Sequence, residues 1–274
     1  MLLLEPRPTR WDLHWRMFGA EVRIRPIFWV SCVLLGLLFY RDPEIGGMAM
    51  FWFWIAAILI SLLTHETCHI LAARLFGSRV RIVLSGMGGT VFGLEDRKRW
   101  QRVLILLAGP LGNVLTYGLL WVFLDPLWNP LSIQQLGRAW TVFVANAAKI
   151  ALLLNAFWAM LNVLPLWPLD GGRAVIEIGE ALLGRLGQTL ALLLSLLICL
   201  LLSITVIGWA RQNLFDRFDP RYPLHLLYSC ILALYCYFFW ISAFRALWGD
   251  PVPLDEHGKS GRAARQAEER FSRT

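Results

Sequence analysis

The sequence predicts an all-α polytopic membrane fold of about six transmembrane helices, with a small membrane-associated β-hairpin between helices two and three. Three observations carry this. Of the 274 residues, 57% are hydrophobic and only 16% charged, against about 25% charged in ordinary soluble domains, and the mean hydropathy is +0.56. Six apolar runs recur along the chain, most of them near the ~20 residues that cross a bilayer. Between the second and third runs the apolar period changes from that of a helix to that of a strand.

In chain order, the spans are roughly 26–40, 48–73, 103–124, 139–166, 187–209 and 223–244. The first is short, bounded by "VRIRP" and "YRDPE". Backbone groups in lipid must be paired within their own segment, so each span is expected to be a helix. Residues 77–99 read "GSRVRIVLSGMGGTVFGLEDRKR": Val80, Ile82 and Leu84 alternate with Arg79, Arg81 and Val83, "SGMGG" supplies turn residues and "TVF" resumes an extended run. That is the pattern of a hairpin. The chain divides into an N-terminal cytoplasmic segment, 1–25, a membrane domain, 26–248, and a polar tail, 249–274, expected to be mobile. The N-terminus lacks a basic start followed by an apolar run and a cleavage site, so no removable signal peptide is expected.

Charge sets the orientation. With the N-terminus inside, 20 of the 26 Lys and Arg fall on one side and five on the other, with Lys149 inside a span. Basic residues favour the cytoplasmic side of short loops, so both termini are expected there, in a multi-pass protein of a bacterial cytoplasmic membrane. This distribution also accounts for the net charge of +7 without nucleic acid, for which no binding pattern exists. The five cysteines, Cys32, Cys68, Cys199, Cys230 and Cys236, form no CxxC pair and lie in apolar runs. They read as small buried hydrophobes, not as a disulfide framework.

One stretch does not belong in lipid by composition. "THETCHI" at 64–70 closes the second span. His65 and His69, four apart, share one helical face, with Glu66 beside them. This HExxH arrangement offers two nitrogen ligands to zinc and a carboxylate to take a proton from water. As a bare pattern it can arise by chance, and a purely structural polar cluster is the alternative. Unpaired polar groups inside a membrane helix are costly and usually mark function.

Catalytic zinc takes three protein ligands and keeps a fourth position open. The candidate third ligand lies in "NVLPLWPLDGGR" at 162–173. Pro165 and Pro168 interrupt the helix, Gly171 and Gly172 permit close approach, and Asp170 sits where the backbone can bend toward a partner. Its plainer reading is an interfacial aspartate at a helix end. Spans two and four both run inward, which brings the HExxH face and Asp170 to the same cytoplasmic half of the bilayer. Lys149, Asn146 and Asn155 are candidates for a polar channel, with helix–helix hydrogen bonding as their alternative. Trp167 either shapes the site or packs.

His65–His69 together with the N-x-x-P-x-x-P-L-D-G-G run at 162–172 resembles the site-2 protease family of intramembrane zinc metalloproteases, and "AGPLGN" at 108–113 resembles a further motif of that family. The resemblance implies that 26–248 is an intramembrane metalloprotease domain hydrolysing peptide bonds within or near transmembrane segments. It implies one Zn2+ per chain held by His65, His69 and Asp170, Glu66 as the catalytic base, and Asn162 holding substrate. It matches the glycines of the hairpin, Gly86, Gly88 and Gly89, to a membrane-embedded sheet, where substrate could add as a strand. The expected partners are a transmembrane or membrane-associated protein substrate and the lipid bilayer, with no nucleic acid and with a homo-oligomer left open. The rivals are a zinc-binding membrane transporter and a non-catalytic scaffold that retained its metal. A transporter should repeat polar residues at the midplane of several helices, which spans one, five and six do not do. A scaffold has no need of Glu66.

Overall fold

The computed structural model describes residues 8–40, 47–86, 88–124, 138–214 and 222–248. It opens with strands β1 (Leu13–Met17) and β2 (Ala20–Ile24), followed by helices α1 (Pro26–Tyr40) and α2 (Gly47–Leu75). Strands β3 (Arg81–Ser85) and β4 (Gly88–Phe92) come next, then α3 (Arg99–Leu124), α4 (Arg138–Val163), α5 (Asp170–Leu183), α6 (Arg185–Leu214) and α7 (Tyr222–Trp248).

The fold is all-α and polytopic with a small sheet. Among the described residues four helices are long and apolar enough to cross a membrane: Gly47–Leu75, Arg99–Leu124, Trp140–Val163 and Arg185–Gly208. This corrects the count of six. The first expected span yields an apolar helix only over Pro26–Leu37, about 18 Å long at 1.5 Å per residue, well short of a ~30 Å hydrocarbon core. The sixth, 223–244, falls on α7, whose side chains at 222–232 lie outside the described residues. The tail at 249–274 also lies outside them.

The expected hairpin is present as β3 and β4, but it is half of a four-stranded sheet in the order β1-β2-β3-β4. The other half comes from the segment 1–25, which the sequence reading left without structure. Leu13, Trp15 and Met17 alternate with polar residues, as do Ala20, Val22 and Ile24 with theirs, except that Arg23 is buried against Asp12 at 3.6 Å. Phe18 and Gly19 both have positive φ, 46° and 73°, the requirement of a two-residue hairpin turn whose twist matches its strands. Strands β2 and β3 pair in parallel, Val22 opposite Ile82 and Ile24 opposite Leu84; the crossover between them is α1 and α2. The sheet buries Val22, Ile24, Ile82, Leu84 and Val91 in one core with Ile58, Leu62 and Ile70 of α2.

Helix α5 is the second element the sequence reading did not name. It is docked by two ion pairs to the start of α3, Arg102–Glu177 at 2.6 Å and Arg99–Glu180 at 3.1 Å. Its far end abuts α6, where a Cβ on Gly179 would meet the Gly187 carbonyl at 2.7 Å.

Candidate metal centre

Helix α2 carries three of the polar side chains. The threonines of "THET" are self-satisfied: Thr64 and Thr67 donate their hydroxyls to the carbonyls of Ile60 (2.9 Å) and Leu63 (2.6 Å). His65, Glu66 and His69 are buried at 2%, 1% and 1% exposure. Each offers a ligand atom, and these atoms lie within 4.8 Å of one another.

Asp170 joins them. Its Oδ2 lies 3.0 Å from His65 Nε2 and 3.2 Å from His69 Nε2, and the two Nε2 atoms are 3.1 Å apart. Two nitrogens and one carboxylate oxygen thus form a nearly equilateral triangle. Tetrahedral zinc with ~2.0–2.1 Å bonds requires ligand atoms about 3.3 Å apart, so this donor set fits a metal of that kind.

Close packing makes the triangle. Helix α3 passes over the histidines at Gly109, where a Cβ would collide with His69 Nε2 and lie 2.6 Å from His65 Nε2. One turn on, a Cβ at Gly112 would collide with Cys68 Sγ. These are the glycines of "AGPLGN", and the asparagine that ends the motif accepts a 2.6 Å hydrogen bond from His65 Nδ1. His69 Nδ1 donates to the Ile105 carbonyl at 2.7 Å. With both Nδ1 atoms engaged, both Nε2 atoms are turned to the cluster, the arrangement metal-binding histidines usually show.

Asp170 is the first residue of α5 and follows the turn that holds Pro165 and Pro168. Cβ atoms on Gly171 or Gly172 would strike the backbone at 163–164 or at 166, so this turn closes only over glycine. Trp167 is packing: it is buried with Ile176 and Leu192, and its backbone N–H donates to Ser195 Oγ at 2.7 Å. Arg173, one turn beyond Asp170, places Nη1 3.9 Å from Asp170 Oδ1 and donates from Nη2 to the Val91 carbonyl at 2.9 Å.

The other sequence candidates divide. Gly89 lies against Glu66, where a Cβ would collide with Oε1, and Glu66 Oε2 is buried without a hydrogen-bond partner. Gly86, at φ 61°, serves the turn, and Gly88 meets nothing. Asn162 is buried, and its amide folds back to the Trp158 carbonyl at 3.0 Å, within its own helix. Of the three channel candidates, Asn155 is buried in helix–helix hydrogen bonds and Lys149 is exposed. Sequence reasoning quoted the motif that holds Gly109, Gly112 and Asn113 without giving those residues roles. Their spacing of three and four on an apolar helix was the available signal.

The sequence matches the family described as Peptidase family M50 over residues 53–129 and 122–204. It is 25% identical over 229 residues to Stage IV sporulation protein FB of Bacillus subtilis, covering 77% of this chain and 71% of that protein. Two further relatives, from Synechocystis and Mycobacterium tuberculosis, are 26% and 32% identical over 173 residues, and the chain spans 42% and 41% of their lengths. Among solved structures, the Site-2 Protease from Methanocaldococcus jannaschii superposes with a TM-score of 0.52 at 19% identity, covering 88% of this chain and 98% of that one; this likeness speaks for the fold.

Proposed function

The chain belongs to peptidase family M50, and we infer that it is an intramembrane zinc endopeptidase of the site-2 type, with His65, His69 and Asp170 as the ligands of one zinc and Glu66 as its general base. The observation that carries this is the buried triangle of His65, His69 and Asp170 beside a carboxylate oxygen that has no partner of its own. A structural metal site needs three or four ligands but no spare carboxylate.

Zinc, when bound, supplies Lewis acidity toward a water and toward the scissile carbonyl. The remaining work falls to the chain. Glu66, adjacent to His65 and with its Oε2 unpartnered, takes the proton of the attacking water and returns it to the leaving amine. Asp170 and the two imidazoles contribute one negative charge, so the site keeps a net positive charge for the developing oxyanion. Asn162 is proposed to hold substrate after turning from its helix carbonyl.

The substrate is proposed to enter as an added strand. A transmembrane helix hides its peptide bonds in its own hydrogen bonds and must be unwound before hydrolysis; a sheet edge can hold the unwound chain. Strand β4 is that edge. Arg25 N–H donates to the Leu84 carbonyl at 3.0 Å, so Leu84 directs its backbone groups toward β2. Its partner across the pair, Gly89, then directs its own outward, because residues along a strand alternate. Gly89 thus presents a free N–H and C=O beside Glu66. At Val91, two residues on, the outward carbonyl is taken by Arg173.

Placement of both termini in the cytoplasm completes the proposal, supported by the 20-to-5 division of basic residues that the sequence-derived spans give. The test is Glu66→Gln, purified and returned to lipid vesicles with a transmembrane reporter peptide. Zinc content should stay at one per chain while cleavage falls about 10³-fold. A variant that still cleaves removes Glu66 from the reaction. Transport of zinc into the vesicles by the parent protein would favour the transporter instead.

A further inference from the structure

Three helices share a polar chain that ends on His65. Ser61 of α2, Asn113 of α3 and Asn155 of α4 are buried at 3%, 0% and 4% exposure, in helices whose other buried residues are mostly apolar. The expected catalytic roles use none of them.

Their hydrogen bonds can run in only one direction. Asn155 stands 2.9 Å from the Ala151 carbonyl. A carbonyl only accepts, so the Asn155 group facing it is the NH2. Asn155 Oδ1 is therefore turned the other way. It accepts from Ser61 Oγ at 3.0 Å and from Asn113 at 2.9 Å. Facing an acceptor, Asn113 must also present its NH2, which donates in addition to Ser61 Oγ at 3.1 Å. The Asn113 oxygen is left for His65 Nδ1 at 2.6 Å, and that nitrogen must carry the proton. A backbone carbonyl that cannot rotate thus fixes, through two side-chain amides, the tautomer of an imidazole on another helix.

We propose that Asn155 and Ser61 are positioning residues that act through Asn113 to keep the His65 proton on Nδ1 and its Nε2 lone pair free toward Asp170. Neither touches His65 through any hydrogen bond of its own. Their effect lies in denying Asn113 the flipped orientation, which would offer an N–H to Nδ1 and drive the proton to Nε2. His69 needs no such chain, because its Nδ1 donates straight to the Ile105 carbonyl. Only the first histidine of the pair depends on side chains for its tautomer.

The proposal rests on the reading of His65 as a metal ligand, and the test separates the two. Full-length protein in detergent is stripped of metal, and zinc affinity is read by chelator competition. In parallel, ¹⁵N shifts of the His65 ring report which nitrogen carries the proton. Asn155→Leu removes the acceptor that orients Asn113, so affinity should fall about 10–100-fold, the usual cost of losing an outer-shell partner, and the proton should redistribute toward Nε2. Asn155→Asp, neutral when buried, can donate its O–H to the Ala151 carbonyl and keep an oxygen toward Asn113, so it should bind zinc more tightly than Asn155→Leu and hold the proton on Nδ1. Ser61→Ala, the mildest change, should shift the tautomer in the same direction as Asn155→Leu by a smaller amount. If Asn155→Leu and Ser61→Ala both keep the parent affinity and tautomer, the relay is wrong. If Asn155→Asp is as poor as Asn155→Leu, the residue merely packs, and the proposal is overturned. His65→Ala is the control: unchanged zinc affinity there rejects the ligand reading itself, while the ring shifts of the other variants still decide the relay.

Discussion

The two sides of the candidate metal centre are built differently. His65, Glu66 and His69 stand on one uninterrupted helix, so their mutual geometry is set by 3.6 residues per turn before any packing occurs. Asp170 stands on the first turn of a short helix entered through a proline-interrupted turn, and it is held by other elements. Arg173 ties its helix to β4, Arg102 and Arg99 tie it to α3, and Trp167 ties the preceding turn to α6. The helical side can lose a neighbour and keep its shape. The aspartate side exists only while its neighbours hold it, so a perturbation there should act on the metal through position.

The largest effect should come from removing a ligand on either side. His69→Ala and Asp170→Ala should each lower zinc affinity by at least 10²-fold and abolish cleavage, because a three-ligand catalytic site has no ligand to spare. Metal analysis after dialysis checks this. If Asp170→Ala keeps full zinc and full activity, the aspartate side is not part of the centre.

Next is the crossing of α3 over the histidines. Gly109→Ala places a methyl group against both Nε2 atoms and should cost about 1–3 kcal/mol by overpacking, together with most of the zinc. Gly112→Ala meets Cys68 Sγ, a side chain, and should lose stability without losing metal. Thermal unfolding with and without zinc separates the two.

A smaller effect, confined to catalysis, is expected at the sheet. Val91→Pro removes an outward N–H from the β4 edge without breaking the pairs to β3, whereas Thr90→Pro removes an inward one and should weaken the sheet itself. Cleavage of a reporter peptide should fall in the first variant while zinc content holds. Full cleavage by Val91→Pro would argue against strand addition.

The smallest effect is expected from Arg102→Ala. Its pair with Glu177 is about four-fifths buried, and losing it should cost on the order of 1 kcal/mol of stability. The loss should be greater in apparent zinc affinity than that of an arginine elsewhere on the same surface, such as Arg79, since α5 carries Asp170. Equal effects at both arginines would mean that the aspartate side is stiffer than the contrast with α2 suggests.

Much of this was legible in the residues. An apolar span ending in H-E-x-x-H can place two imidazoles only on one face, and the run of prolines and glycines before and after Asp170 announces a turn where close approach is possible. The β3–β4 hairpin was visible from alternation around "SGMGG". Its companion strands were not, because β1 and β2 alternate over only five residues each and the latter buries Arg23, which breaks the pattern at its second polar position. Helix α5 was hidden between two breakers, too short to register as a span.

The sequence by itself determined the elements whose signal is local: the apolar spans, the shared face of His65 and His69, and the glycine turns. Helix period and strand alternation are properties of neighbours along the chain, so they can be read without knowing the fold. Only the tertiary structure decided that Asp170 meets a histidine 105 residues away, that Gly109 rather than any other glycine clears space over the imidazoles, and that Asn155 speaks to His65 through Asn113. Those meetings depend on how closely helices pack and where they cross, and no periodicity in a single helix encodes the register of another.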